Sequence, residues 1–177
     1  MKLKLITREG WGARPAGNLA TNSLSRESVL FIHWSAGQGR SIETLEEQKA
    51  TMRAIQAYHM DPKPKGQAWS DIGYSYVVFQ PYGLLRRARV FQGRKFANVP
   101  ASQYGYNTGN GSVCVVMAEG EKLKRSTRRL IREIHSRFPG RAMKGHRDVF
   151  GTECPGDALY NAIPKMRSSE KAERMLP

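Results

Sequence analysis

The stretch "VLFIHWSAGQGR" (Val29–Arg40) joins a β-branched and aromatic run to a glycine-containing polar segment. Its first six residues carry no charge and read as a buried strand, Val29 to Trp34, that opens into a loop. From Ser41 the pattern changes: Ile42, Leu45, Met52, Ile55 and His59 recur at helical spacing, and Thr44 with Glu47 has the form of a capping box. "DPKPKGQ" (Asp61–Gln67) stops that helix, because two prolines and a glycine cannot continue it.

Working outward, the same alternation continues. "YSYVVFQ" (Tyr74–Gln80) and "LLRRARVFQ" (Leu84–Gln92) flank Pro81-Tyr82-Gly83 and read as a β-hairpin. The loop-like "QYGYNTGNGS" (Gln103–Ser112) leads into a further strand, "VCVVMA" (Val113–Ala118). A second helix is predicted from about Lys122 to Phe138, with Leu123, Leu130, Ile131, Ile134 and Phe138 on one side and Arg125, Arg128, Arg129 and Arg132 on another. "AMKGHRD" (Ala142–Asp148) reads as a last short strand, and "PGDALYNAIPKMR" (Pro155–Arg167) as a terminal helix opened by Pro155. Strands alternating with helices, plus one hairpin, define an α/β chain with a mixed sheet on which helices pack.

A chain of 177 residues buries enough surface to stand without disulfide staples. One domain over residues 1–167 is expected, followed by a polar tail, 168–177, that frays. The two cysteines do not call for an oxidising compartment: Cys114 lies in an apolar strand and reads as a small core residue, Cys154 in a polar loop. The N-terminus lacks an apolar run of signal-peptide length, and no segment approaches the roughly 20 apolar residues that cross a bilayer. Lys and Arg outnumber Asp and Glu by 29 to 15, a net charge of +14, with basic clusters in Leu84–Lys95 and Lys122–Arg132. Such a balance implies a polyanionic partner or surroundings: nucleic acid, an anionic membrane or an anionic cell wall. The chain has no zinc-finger spacing or other nucleic-acid-binding motif, so no specific nucleic acid is expected, and a basic helix face is usually only solvated.

Four histidines are available as ligands or bases. His59 and His135 fall on or beside the apolar stripes of helices, where packing is the ordinary role. His33 and His146 each end a predicted strand and precede a loop, which is where sites are built. Together with Cys154 they supply N, N and S donors, a set suited to Zn²⁺. Asp148 is a candidate fourth ligand, or equally a turn residue. Three protein ligands leave a zinc site open, as catalytic zinc sites are, with the chemistry for hydrolysing an amide.

Four segments in order, "ITREGWGARPA", "VLFIHWSAG", "WSDIGYSYVV" and "GHRDVFGTECPGDALY", resemble the zinc-dependent N-acetylmuramoyl-L-alanine amidases of the type-2 amidase and peptidoglycan-recognition-protein family, which includes many phage endolysins. The similarity spans roughly Ile6 to Ile163. It implies a central mixed sheet of about five or six strands flanked by helices, with zinc in a groove on one side. It also implies the roles: His33, His146 and Cys154 as zinc ligands, Tyr74 as a phenol beside the metal, and Thr152 where members carry a catalytic lysine or a threonine. A threonine can hydrogen-bond an oxyanion but offers it no positive charge. Ser102 stands where some relatives have a histidine. Val116 and Ala118 occupy the strand in which others carry a glutamate, and Glu119 is the nearest candidate base.

The activity implied is hydrolysis of the amide between N-acetylmuramic acid and L-alanine of peptidoglycan. The lack of an export signal fits a monomeric endolysin made in the host cytoplasm and acting on the wall after release, its charge attracting anionic cell-envelope polymers. The alternative is a recognition module that binds peptidoglycan without cleaving it; such members commonly lack the cysteine, which is present here as Cys154.

Overall fold

The computed structural model describes residues 5–35, 42–81, 88–118 and 120–167. Six strands form one mixed sheet: β1 (Leu5–Ile6), β2 (Val29–Trp34), β3 (Tyr76–Phe79), β4 (Arg89–Gln92), β5 (Gly111–Val116) and β6 (Ala142–Gly145), in the order β1-β4-β3-β5-β2-β6. Among the strand pairs of the described residues, β3–β4 alone is antiparallel; it is the expected hairpin, with Tyr76 opposite Gln92 and Phe79 opposite Arg89. The turn of that hairpin, beyond Pro81, lies outside the described residues. β5 is buried along its whole length and β2 through its four middle residues, as befits central parallel strands covered on both faces.

Successive side chains point to opposite faces of a strand. Leu30 and Ile32 of β2, with Val113 and Val115 of β5, therefore join one core layer, which also holds Ile131, Ile134, Met143, Leu159 and Ile163. Cys114 and Val116 of β5 join the other, with Trp11, Met52, Ile72, Val77, Phe79 and Phe91. His33 lies in register with Cys114, and Cys114 with Val77, which places His33 on this second face. That face is covered by α2 (Leu45–Met60), whose Thr44–Glu47 capping box forms as expected.

The helix on the first face, α3 (Arg125–His135), is shorter than the expected 122–138. Lys124 is extended and caps it without a side-chain bond, and Pro139 disfavours helical backbone at Phe138. The terminal helix is a larger correction. It begins at Asp157, not Pro155, and splits into α4 (Asp157–Tyr160) and α5 (Ile163–Met166). Pro164 has no N–H for a continuous helix to use, so the chain restarts with Pro164 in a new first turn.

Two N-terminal elements went unforeseen. β1 pairs in parallel with β4, and α1 (Arg8–Trp11) follows at once. Thr7 caps α1 by accepting from the Gly10 N–H at 3.2 Å, and Gly12 ends it at φ 72°, a left-handed conformation natural to glycine. Trp11 is buried, and its indole N–H donates to the Gln92 carbonyl at 2.8 Å, tying the short helix to the sheet. No helix among the described residues is long and apolar enough to cross a membrane.

Candidate metal centre and groove

The C-terminal end of β2 delivers His33, 2% exposed, to the edge of the second core layer. β6, its parallel neighbour, runs into a 3-10 turn, His146–Asp148, that brings His146 alongside. The two imidazole centroids are 4.6 Å apart, and Phe150 stacks on His146 from the other side at 5.6 Å. Arg147 holds the returning loop. Its backbone N–H donates to the Cys154 carbonyl at 2.8 Å, and its guanidinium donates to the Glu153 carbonyl and the Asp157 carboxylate at 2.7 Å each. Cys154 is thereby set beneath Trp34, whose backbone N–H donates to its Sγ at 3.4 Å.

His33, His146 and Cys154 thus meet, with one donor atom from each lying within 4.8 Å of the others. The group could hold a metal ion, and it is an open N, N, S set. Asp148 does not join it. Its carboxylate accepts from the Gly145 N–H at 2.8 Å and from the Tyr160 hydroxyl at 2.5 Å, so it serves the turn. Glu119 lies outside the described residues.

The two histidines are in the protonation state a metal needs, and the cysteine is not. Burial, and next the neighbouring His146, hold His33 down at about 3, against a hydrogen bond to Gln103 that raises it. Burial likewise lowers His146. Both rings are therefore neutral near pH 7, as ligands must be. Burial raises Cys154, opposed by the Trp34 N–H and the charge of Arg147, so a thiolate forms there only with a cation to stabilise it.

Tyr74 flanks the triad, its ring centroid 5.6 Å from that of His33. Burial above all holds its phenol well above the usual range, so it is a hydrogen-bond donor and not a base. The segment carrying it is pinned from below. Asp71, fully buried, accepts from Arg8 at 2.7 Å and from the Gln56 amide at 2.7 Å; Arg94 donates to the carbonyls of Asp71 and Ile72. His59 stacks on Trp69 and accepts the Gly73 N–H at 3.1 Å on Nδ1. It is the packed histidine that its helical position led one to expect. Thr152 Oγ1 accepts from the Cys154 N–H at 3.2 Å, so this side chain shapes the cysteine loop.

Between α2 and Tyr74 runs a groove of about 650 Å³, lined by Trp34, Ile42, Ala54, Ile55, Tyr58 and His59 among others. Apolar and aromatic side chains share its lining with Ser35, Glu47 and Thr51, and two of its lining residues touch the triad: Trp34 through its backbone N–H to Cys154 Sγ and Tyr74 through its ring beside His33. The sequence reading did not find the Arg8–Asp71–Arg94 network or Gln103. None carries a local signal, because each matters through partners distant in the chain.

No family model matches the chain. Relatives do. The human N-acetylmuramoyl-L-alanine amidase is 28% identical over 164 residues, covering 86% of this chain and 26% of that protein. Peptidoglycan-recognition protein SC1a/b of Drosophila simulans is 27% identical over 169 residues, covering 90% of this chain and 83% of that one. Among solved structures, the ectodomain complex of peptidoglycan recognition proteins LCa and LCx bound to tracheal cytotoxin matches with a TM-score of 0.75 at 25% identity, over 91% of this chain and 95% of that one. The mammalian amidases are much longer, and the chain spans about a quarter to a third of their length. In sequence and fold, these relatives and structural neighbours match the family of type-2 amidases and peptidoglycan-recognition proteins, which this chain resembles.

Proposed function

We propose that this protein is a zinc-dependent N-acetylmuramoyl-L-alanine amidase that cleaves the amide joining the lactyl group of N-acetylmuramic acid to L-alanine in peptidoglycan. The observation that carries the proposal is the convergence of His33, His146 and Cys154, next to a groove whose lining residues Trp34 and Tyr74 contact that triad. These three side chains would hold the ion. When bound, zinc supplies Lewis acidity, acidifying water and polarising a carbonyl. The chain's own groups do the rest. The groove of Trp34, Ile42, Ile55 and Tyr58 binds the stem peptide through its apolar wall and aligns the amide with the triad. Tyr74 donates its phenolic proton toward the carbonyl oxygen as charge develops there. Thr152 keeps Cys154 in place and leaves its own hydroxyl proton free to donate.

Residues 1–167 would act as one catalytic domain, as a monomer. In the wider proposal the protein is a wall-lysing, endolysin-like enzyme, made in the host cytoplasm and reaching the wall after release. The resemblance supports this role, and the net charge of +14 suits an anionic envelope. The second reading, recognition without cleavage, is favoured by the likeness to proteins named for recognition, one of them solved with tracheal cytotoxin. Cys154 within the triad favours the enzyme.

The test is a digest of purified peptidoglycan in which new N-terminal alanine and new reducing ends are measured separately. Alanine termini without reducing ends, abolished by chelator, restored by Zn²⁺ and absent for Cys154→Ser, are expected. Tight binding to walls with release of neither would establish the recognition module instead.

A further inference from the structure

Gln103 is fully buried, yet it is a polar side chain in the loop between β4 and β5. Its Oε1 lies 3.1 Å from His33 Nε2 and 2.6 Å from Ser102 Oγ, which is in turn 2.8 Å from Ser112 Oγ on β5. The loop is clamped by Asn107, whose Oδ1 accepts from the backbone N–H groups of both Ser102 and Gln103 at 3.0 Å. The other face of the ring belongs to the triad: His33 Nδ1 is 3.8 Å from Cys154 Sγ.

The direction of the Gln103 amide is decided by Tyr106. Gln103 Nε2 donates to the Tyr106 carbonyl at 3.4 Å. A flipped amide would lose that bond and set the Gln103 oxygen against the Tyr106 carbonyl, which already accepts from Asn110 Nδ2 at 3.0 Å and has no proton to offer. With Oε1 facing His33, the imidazole nitrogen opposite must carry a proton, because two lone pairs would repel. A neutral imidazole has one N–H, so the other nitrogen is left with its lone pair.

We propose that Gln103 is a positioning residue that locks His33 as the Nε2–H tautomer and so presents the Nδ1 lone pair to the site formed with His146 and Cys154. The Ser112–Ser102 pair and the Asn107 clamp hold the Gln103 carbonyl at its post. Its value to the enzyme rests on the triad being a metal site, but the tautomer itself can be read without any metal. Partners of this kind, placed behind a ligating histidine, set both its ring orientation and its basicity.

The test is long-range ¹H–¹⁵N NMR of histidine-labelled, metal-free protein near neutral pH, with the His33 signals assigned by their loss in His33→Asn. The wild type is expected to show His33 with its proton on Nε2. Gln103→Met, similar in size but without a strong acceptor, should lose that preference, and Gln103→Glu, which keeps an acceptor, should retain it. Zinc affinity, measured by competition with a chromophoric chelator, should fall about 10- to 100-fold in Gln103→Met. A purely structural role would lower the melting temperature of Gln103→Met and leave the tautomer unchanged. His33 protonated on Nδ1 in the wild type overturns the proposal whether or not the variants fold. So does a Gln103→Met protein that keeps the Nε2–H form and binds zinc within about twofold of the wild type. A wild type that shows the Nε2–H form but binds no zinc supports the positioning role and overturns the metal reading instead.

Discussion

Arg8 and Asp71 form an ion pair at 2.7 Å across 63 residues of sequence, the carboxylate fully buried and the guanidinium largely so. The pair joins the first helix to the segment that ends in Tyr74, so the N-terminus contributes to the groove without touching it. Arg8→Met strands a buried charge, which typically costs about 3–5 kcal/mol. The lower end of that range is expected here, because Gln56 and the Ile72 N–H still satisfy Asp71. Urea unfolding with an unchanged m-value would measure it; a loss below about 1 kcal/mol would show that Arg94 and Gln56 suffice.

Tyr74 is expected to act in the transition state and not in metal binding. Tyr74→Phe should lower kcat by about 10²- to 10³-fold, as loss of one oxyanion donor does, while zinc affinity stays within error. A rise in KM at constant kcat would assign the phenol to substrate binding alone.

Metal binding should release protons. Both ring ligands are already neutral near pH 7, but burial keeps the Cys154 thiol protonated. Zinc uptake is therefore expected to release about one proton, and affinity should weaken as pH falls. Calorimetric titrations in buffers of differing ionisation enthalpy count that proton directly.

His59 makes the fold sensitive to acid. Burial above all depresses it to about 4 from an ordinary 6.5, and its Nδ1 accepts the Gly73 N–H. Between those values the unfolded chain binds a proton that the folded chain refuses. Stability is therefore whole above about pH 6.5 and declines as pH falls toward about 4, by a few kcal/mol at most from this one group. Denaturation midpoints over that window should fall less steeply in His59→Gln, which cannot titrate. Equal slopes would move the acid sensitivity elsewhere.

The charge of +14 makes a prediction about salt. Digestion of intact walls should slow as ionic strength approaches 1 M, where the Debye length is about 3 Å, while cleavage of a small soluble muropeptide should change little. Undiminished lysis of walls at that salt would remove long-range attraction as a factor.

Much of the sheet was legible because its strands announce themselves locally. Val29–Trp34 has the composition of a buried strand and is a strand from first residue to last, buried through its four middle residues. Thr44 and Glu47 needed only each other to mark the start of α2. The terminal helix was misread for an opposite reason. The pattern Ala158, Leu159, Ile163, Met166 has helical spacing, and the break is imposed by the missing N–H of Pro164. Leu5 and Ile6 are too short a run to stand out, and they become a strand only because β4 offers an open edge.

What the sequence determined by itself was the alternation of strands and helices, the family resemblance, and the identity of three side chains able to share a metal. Such features depend on residue type and spacing along one segment. Tertiary structure alone decided which nitrogen of His33 faces Cys154, that Asp148 is consumed by its turn, and that a buried glutamine stands behind the first ring. The two His33 contacts join segments 70 and 121 residues apart in the chain, whereas Asp148 is held by Gly145 and Tyr160, 3 and 12 residues away. The His33 contacts exist only once parallel pairing of β2 with β5 and β6 has brought the strand ends together, and no local pattern encodes the direction in which a side chain then points.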